Sequence, residues 1–320
     1  MNKFVAAAAA SLLALGAASV QAQEWPTRAI KIMVGSAPGG GTDAMARAVA
    51  DRLGPLLKQP VVVENRPGVS NTLAADATAK ATDGHTMVMG VVTAHAIAPH
   101  LIKLNYDNNR DLVPVAFVGA VPNVLVVSNG VPAETVAALI ALAKKEPSKL
   151  NYATSGAGST QHIAAEMFKD AAKVDITHVP YKGSGPALID LVGGQVQMSF
   201  DTLPSVIGQI KSNKVRALAV TTAKRNAQLP NVPTMAEAGV PGVEMSAWYG
   251  IYMPASTPKA VQDKVHETVN QVLAMPETKT RLEAIGADIT PMTQSQFAQF
   301  HAAEYKRFGD IIKKNNIRVE

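Results

Sequence analysis

Short runs of apolar residues alternate along the chain with stretches whose apolar residues recur every three or four positions. The first pattern predicts buried strands, and the second predicts amphipathic helices. Strands that alternate with helices in this way indicate an α/β fold with mostly parallel sheets and helices on their faces. Strands are predicted at 30–34, 61–63, 85–91, 150–153, 198–201 and 215–220, and helices from the first glycine loop to about 57 and at 71–81, 132–145, 161–169, 186–192 and 204–211.

Two longer stretches do not fit this alternation. Residues 112–127 and 245–253 are extended in pattern, and they separate two βα sets of similar size. We therefore expect the first stretch to carry the chain out of one lobe and the second to bring it back. Helices that begin at Thr257-Pro258, with Thr257 as the cap, and at Pro276 and Ser295 complete the chain.

The most informative polar segment follows the first strand. Pro38 and three consecutive glycines at 39–41 form a loop with little side-chain bulk, and Thr42 or Asp43 can cap the helix that follows. Bare backbone N–H groups and the partial positive charge of a helix start attract a carboxylate or a phosphate. For Asp43, a contact with the ligand and a purely capping role are the two alternatives.

A second segment has the same build. The strand at 150–153 leads into the sequence TSGAGST at 154–160, and a helix begins at Gln161. Two such loops can face each other across a cleft and hold one anion between them. The alternative is that each loop only makes a tight turn. The first loop lacks the Gly-Lys-Ser/Thr ending of a nucleotide P-loop, and neither loop matches G-x-G-x-x-G.

Other polar residues follow strands at the same expected edge. The carboxyl ends of parallel strands meet at one edge of a sheet, and open α/β sheets bind ligands there. Thr93, His95 and Asp201 are therefore candidate contacts. An ordinary loop histidine is the alternative for His95, and local capping is the alternative for Asp201. The hydroxyl groups of the second loop are interpreted as hydrogen-bond donors because no base is visible beside them.

Composition sets further limits. Lys3, the apolar run at 4–20 and Val20-Gln21-Ala22 predict a signal peptide at 1–22 and export to the periplasm, which leaves about 300 residues for two domains. The chain has no cysteine, so disulfides and a lipidated cysteine anchor are excluded. The net charge of +5 is scattered, and nucleic-acid binding is not expected. No G-x-S-x-G or H-E-x-x-H motif occurs, so no catalytic residue, metal or cofactor is predicted.

Ordered matches over essentially the whole exported chain point to one family. They include Trp25-Pro26, PGGGTD at 38–43, PVVVENRPG at 60–68, DGHT at 83–86, 152–162, VPYKG at 179–183, RALAVT at 216–221, LPNVPT at 229–234 and EAG at 237–239. In these segments the chain resembles the Bug proteins, the extracytoplasmic solute receptors of tripartite tricarboxylate transporters.

The resemblance implies a two-lobed periplasmic binding protein of the Venus flytrap, type II-like kind, with two crossing strands as the hinge. Lobe 1 would comprise 23–124 and 246–320, and lobe 2 would comprise 125–245. The two glycine-rich loops would hold one carboxylate of the ligand, and other residues would contact the rest of it. The expected ligand-binding residues are Pro38, Gly39, Gly40, Gly41, Thr42, Asp43, Thr93, His95, Ser155, Gly156, Ala157, Gly158, Ser159, Thr160, Gln161, His162, Tyr181, Asp201 and Thr202.

The implied mechanism is capture of a small carboxylate by a monomeric receptor, closure of the lobes and docking on the membrane subunits of the transporter. Monocarboxylates and dicarboxylates, aromatic or aliphatic, stay open. Lys182 is the obvious cation for a second carboxylate, and amino acids remain open if Asp201 or Asp43 accepts the ammonium group. The alternatives are a carboxylate sensor for a signalling partner and a hydrolase or isomerase on the same scaffold.

Overall fold

The computed structural model of the protein describes residues 25–39 and 41–319. The signal peptide expected at 1–22 and Gly40 of the first loop therefore lie outside the described residues. Within the described ranges, no helix is both long and apolar enough to cross a membrane.

Strands and helices alternate as the apolar pattern predicts, with one further strand at Thr177–Pro180 that was not predicted. The strands are β1 (Ile30–Val34), β2 (Val61–Asn65), β3 (Thr86–Val91), β4 (Leu112–Ser128), β5 (Asn151–Thr154), β6 (Thr177–Pro180), β7 (Met198–Thr202), β8 (Val215–Val220) and β9 (Ser246–Pro254). The helices are α1 (Gly41–Leu57), α2 (Thr72–Ala79), α3 (Val136–Lys145), α4 (Thr160–Ala172), α5 (Ser184–Val192), α6 (Leu203–Lys211), α7 (Lys259–Ala274), α8 (Pro276–Ala284) and α9 (Gln294–Lys314).

The first sheet has the strand order β2-β1-β3-β9-β4. Strands β1, β2 and β3 are parallel, whereas β9 and the first part of β4 run antiparallel to their neighbours. The chain passes from β1 to β2 and then back across β1 to β3. Because such crossovers are right-handed, this reversal places α1 and α2 on opposite faces of the sheet. The loops after the three parallel strands all emerge at one edge.

The second sheet repeats this plan. Its order is β8-β4-β7-β5-β6, and β5, β6 and β7 are parallel while β4 runs antiparallel to β7 and β8. The same reversal beside β5 separates α4 from α5. Each sheet therefore contains three parallel strands joined by helices and one strand that runs the other way, β9 in the first sheet and β4 in the second, which makes both sheets mixed.

Two segments cross between the sheets. Strand β4 pairs with β9 as far as Pro122 and with β7 from Asn123 onwards, and the second crossing joins Met245 to the start of β9 at Ser246. Thr221 connects the crossings, because its side-chain oxygen lies 2.8 Å from the carbonyl oxygen of Asn123 and 2.6 Å from that of Met245. The crossings are thus held side by side, as expected of a two-strand hinge.

Buried aromatic side chains fill the interior. Trp248 and Tyr252 of β9 pack in edge-to-face contacts against Phe297 of α9, and Phe168 of α4 packs against Phe200 of β7. A separate apolar cluster lies where α5 and α6 cover the other face of the second sheet. It contains Leu188, Leu191, Leu203 and Val206 together with the β4 residues Val124 and Val126.

Helix starts are the least accurate part of the sequence prediction. The cap predicted at Thr257 is wrong, because α7 begins at Lys259 and the Thr257 N–H donates to the Pro254 carbonyl. Likewise, α3 begins at Val136, and the Thr135 hydroxyl accepts the Ala138 N–H at 3.1 Å. The local apolar pattern predicts which face of a helix is buried. The residue at which the helix begins depends on which polar group accepts hydrogen bonds from the free N–H groups of the first turn.

Candidate functional site

One large cavity lies between the two sheet edges. Its volume is about 1380 Å³, and the loops after β1, β2, β3, β5, β6 and β7 all contribute to its wall. The described residues on this wall include two lysines, Lys182 and Lys214, and no aspartate or glutamate. The cavity is therefore suited to an anion, and it lies at the carboxyl ends of parallel strands, where α/β sheets bind ligands.

The first glycine-rich loop ends at the N-terminus of α1. Its wall residues are followed by Asp43, which is 3% exposed and accepts hydrogen bonds from the Gly39 N–H, from Arg47 and from Asn65, each at 2.9 Å. Burial by itself would raise the pKa of Asp43, but these hydrogen bonds outweigh it and hold the pKa below its usual value. Because α1 begins at Gly41, Asp43 lies inside the first turn. It holds the loop in place through the Gly39 N–H, from the side that faces away from the cavity.

The second loop ends at the N-terminus of α4. The Ser159 hydroxyl caps this helix by accepting the His162 N–H, and the Gly158 N–H donates to His162 Nδ1 at 3.1 Å. The Ser155 hydroxyl donates to Gln161 Oε1 at 2.9 Å. Since the first N–H groups of a helix have no partner within it, the starts of α1 and α4 offer donors to an anion from two sides of one cavity.

Asp201 supports the second loop from inside the protein. Its Oδ1 accepts hydrogen bonds from Gln161 Nε2 at 3.0 Å, from the Ser184 hydroxyl at 2.8 Å and from the Thr202 N–H at 2.8 Å. The residue is 1% exposed, and burial raises its pKa above the usual value. Asp201 thus positions three residues of the cavity wall and does not itself lie on the wall.

Twelve of the residues predicted from sequence lie on the wall of this one cavity. They come from four loops that are far apart in the chain, which agrees with the expectation that the glycine-rich loops face each other. The twelve are Pro38, Gly39, Gly41, Thr42, Thr93, Ser155, Gly156, Ala157, Ser159, Thr160, Gln161 and Thr202.

His95 lies away from the cavity. The chain after β3 makes a helical turn at Thr93–Ile97, so Thr93 faces the cavity while His95 turns into the core of the first sheet. Its ring stacks on Tyr252 with centroids 3.9 Å apart, and its Nδ1 lies 2.8 Å from Asn108 Oδ1. Complete burial, with His301 nearby, lowers the pKa of His95 to about 3.

Gly158, His162 and Tyr181 are also off the wall. The Tyr181 hydroxyl donates to Asp190 at 2.7 Å, and the His162 ring stacks on His178 with centroids 4.1 Å apart. Burial lowers the pKa of both histidines, that of His178 to about 4. Asp43, His95, Gly158, His162, Tyr181 and Asp201 are thus the predicted residues of the described part of the chain that do not line the cavity, whereas Gly40 lies outside the described residues.

The apex of the second loop touches the opposite lobe. Gly158 has a φ of +74°, and a Cβ there would lie 2.9 Å from Leu101 Cδ1, 3.4 Å from Val319 Cγ1 and 3.7 Å from Ser70 Oγ. All three neighbours belong to the part of the chain that packs with the first sheet. The two sides of the cleft are therefore in contact, as in a closed form.

The sequence prediction did not assign the turn between β2 and α2 to the site. Ser70 and Asn71 have positive φ angles of 51° and 66°, line the cavity, and lie so close to the first loop that a Cβ on Gly35 would be 2.5 Å from Asn71. Asn71 Nδ2 donates to the Thr93 hydroxyl at 2.9 Å. The sequence could have indicated this turn as part of the site, because Pro67-Gly68 follows a strand whose carboxyl end lies at the same edge of the sheet.

Further wall residues come from elements that were predicted but not assigned to the site. Tyr249 of β9 is 4% exposed, and its hydroxyl lies 3.2 Å from where a Cβ on Gly41 would be. Within the described ranges, no group of three or more histidine and acidic residues is placed to hold a metal ion. The remaining wall residues on the second lobe are Lys182, Gly183, Ser184, Gly185, Leu188, Ile189, Val192, Pro204, Ser205, Gln209 and Lys214.

Two α/β lobes joined by two crossing segments, with helix N-termini facing a cleft between them, define the periplasmic binding protein class. Residues 45–317 match the model of the tripartite tricarboxylate transporter family receptor. The chain belongs to this family of solute-binding receptors, as its resemblance to the Bug proteins indicated.

Individual relatives agree with the family assignment. The protein BugT of Bordetella pertussis is 36% identical over 307 residues, which cover 95% of this chain and 94% of BugT. A solved structure of R. palustris Rpa4515 with adipate is 37% identical, with a TM-score of 0.87, and the match covers 93% of this chain and 100% of that one. MatC from Rhodopseudomonas palustris with bound malate is 32% identical, with a TM-score of 0.82, and covers 90% and 100% respectively.

Proposed function

We propose that this protein is a periplasmic receptor that captures a small carboxylate between its lobes and delivers it to the membrane subunits of a tripartite tricarboxylate transporter. The observation that carries the proposal is the cavity wall, in which the starts of α1 and α4 face one space that contains lysines and no acidic side chain among the described residues. Backbone N–H groups bind a charged oxygen more strongly than a neutral one. The family relatives solved with adipate and with malate support the same ligand class.

The proposal includes the boundaries of the two lobes and the hinge between them. Residues 23–124 and 246–320 form lobe 1 and residues 125–245 form lobe 2, and the change of strand partners between Pro122 and Asn123 supports this division. A ligand bound to one loop would attract the other, and the crossings beside Thr221 would absorb the hinge motion. The receptor acts as a monomer, after removal of residues 1–22 on export.

The mechanism is binding without chemical turnover. Three hydroxyl groups on the wall are placed by hydrogen bonds, those of Ser155 and Thr160 to Gln161 and that of Ser184 to Asp201, and they serve to hold a ligand. An assay for consumption of each bound acid tests this part, since turnover would favour the hydrolase or isomerase alternative. Deletion of the gene, followed by measurement of uptake and of regulated expression, separates transport from the sensor alternative.

Thermal melting of the purified protein against a panel tests the ligand class. The panel contains aliphatic and aromatic monocarboxylates and dicarboxylates, acidic amino acids, phosphate and sugars. A ligand at about one hundred times its dissociation constant stabilises the protein by roughly 2.7 kcal/mol, which shifts the melting temperature by several degrees. Shifts with carboxylates alone support the proposal, and shifts with only sugars or phosphate contradict it.

A matched pair of variants locates the binding. Gly41→Leu would place a side chain beside the Tyr249 hydroxyl, inside the cavity. Gly208→Leu places the same side chain at a position of α6 that is not on the cavity wall and where a Cβ meets nothing within 4 Å. We expect the first variant to lose the carboxylate-induced shift and the second to keep it. Equal shifts in both would place the ligand elsewhere.

A further inference from the structure

The cavity extends well beyond the two glycine-rich loops. Its volume of about 1380 Å³ exceeds the roughly 1,000 Å³ at the upper end of ordinary small-molecule pockets. The additional space runs along α5 and α6, which start at the cleft and lie side by side over the apolar cluster of the second lobe. Each helix has nine residues and is about 14 Å long.

One side of this extension is apolar and exposed. Ile189 is 72% exposed and Val192 is 39% exposed. The two residues are three positions apart in the sequence, so they lie on the same face of α5, beside the wall residue Leu188. Among the described residues, five large apolar side chains are exposed, and these two are the ones on the cavity wall. An apolar ligand body placed here would remove them from water.

The far end of the extension is cationic. Lys214 follows the end of α6, and its backbone N–H donates to the Gln209 carbonyl at 2.9 Å, which holds it beside the wall residue Gln209. Lys214 is exposed and has no ion pair or side-chain hydrogen bond within the residues described. Lys211, one turn earlier, instead donates to Gln228 Oε1 at 3.1 Å and lies off the wall.

We propose that the ligand of this receptor is an elongated dicarboxylate, with one carboxylate at the glycine-rich loops, an apolar body along Ile189 and Val192, and the second carboxylate at Lys214. This inference rests on the proposed function and names its substrate class more narrowly. Lys182 lies at the loop end of the cavity, because the N–H of the next residue, Gly183, donates to the Ser155 carbonyl at 3.1 Å. A short dicarboxylate would fill only the loop end of the cavity and would leave Ile189 and Val192 in water.

Calorimetry with dicarboxylates of increasing length tests the proposal. The probes are succinate, adipate, suberate and sebacate, with decanoate as the monocarboxylate that matches sebacate in length. Each methylene that becomes buried against α5 can tighten binding by up to about fourfold. We expect sebacate to bind at least about tenfold more tightly than succinate, and more tightly than decanoate. Equal affinity along the series, or binding of succinate alone, would overturn the proposal and leave the proposed function standing.

Two pairs of variants test the residues. Ile189→Ser should weaken sebacate binding by about fivefold and leave succinate unchanged, whereas Leu56→Ser, at an exposed leucine of α1 away from the cavity, should change neither. Lys214→Met should weaken sebacate by up to about fivefold and decanoate not at all, with Lys211→Met as the control. If Ile189→Ser impairs uptake by cells and no binding constant changes, α5 instead contacts the transporter and the proposal fails. If no carboxylate binds at all, the proposed function fails with it.

Discussion

Gly158 decides how closely the second loop can approach the first lobe. A Cβ at this position would lie 2.9 Å from Leu101 Cδ1, which is closer than carbon atoms approach in proteins, so either Leu101 or the whole lobe must move. Holding a leucine off its preferred rotamer costs on the order of 1 kcal/mol. If the closed form alone binds ligand tightly, Gly158→Ala should therefore weaken carboxylate binding by about fivefold.

A second effect of the substitution must be separated from this one. Gly158 has a φ of +74°, and an alanine in the left-handed region costs roughly 1–2 kcal/mol wherever the lobes are. Gly84→Ala is the matched control, because its φ is +66° and a Cβ there meets nothing within 4 Å. Both variants should lose similar free energy of unfolding in urea, but affinity should fall only for Gly158→Ala.

Calorimetry with the carboxylate that gives the largest melting shift measures the affinity. Small-angle scattering with and without this ligand measures how far the lobes close. Leu101→Ala removes the methyl group that the new Cβ would meet, so the double variant should regain most of the lost affinity. Wild-type affinity in Gly158→Ala, or no recovery in the double variant, would refute the closure argument.

Three further predictions concern buried polar groups and a helix start. Asp201→Ala should lower the free energy of unfolding in urea by about 3 kcal/mol, because it leaves one buried and two partly buried donors without their acceptor. Asp201→Asn keeps an acceptor, should lose less, and should change the ranking of carboxylates in the melting panel. Equal losses for the two variants would contradict this. Burial lowers the pKa of His95 to about 3. Below about pH 6.5 the unfolded chain therefore binds a proton that the folded protein does not. The contribution of His95 to the free energy of unfolding, fully present above pH 6.5, falls by about 3 kcal/mol at pH 4.5. Urea unfolding at both pH values should show a smaller decrease in His95→Gln, and an equal decrease would assign the effect to other groups. Thr293→Ala, which removes the capping box of α9, should cost about 1 kcal/mol and leave affinity unchanged; a change in affinity would mean that α9 takes part in closure.

The glycine-rich loops could be found from sequence because their signals are local. Apolar runs at β1 and β5, glycine and hydroxyl residues after them, and a helical period beyond are all visible within about fifteen residues of chain. Since the carboxyl ends of parallel strands share an edge, the same reasoning places Thr93 beside the loops, and the family resemblance adds Thr202. These residues line the cavity in the structure.

Which neighbouring side chain faces the cavity depends on contacts that are remote in sequence. His95 turns inward because Asn108 and Tyr252 offer a hydrogen bond and a ring to stack on, and Asp201 is buried because Ser184 and Gln161 converge on it. A strand end or a loop residue carries no local mark of such partners.

The sequence by itself therefore determined the order of most strands and helices, the two glycine-rich loops and the family. Only the tertiary structure decided that Asp43 and Asp201 lie behind the wall, and that the cavity continues along α5 to Ile189 and Lys214. The physical reason is range: turns, caps and periodicity act between residues a few positions apart, whereas a cavity exists only where two sheets have already been brought together.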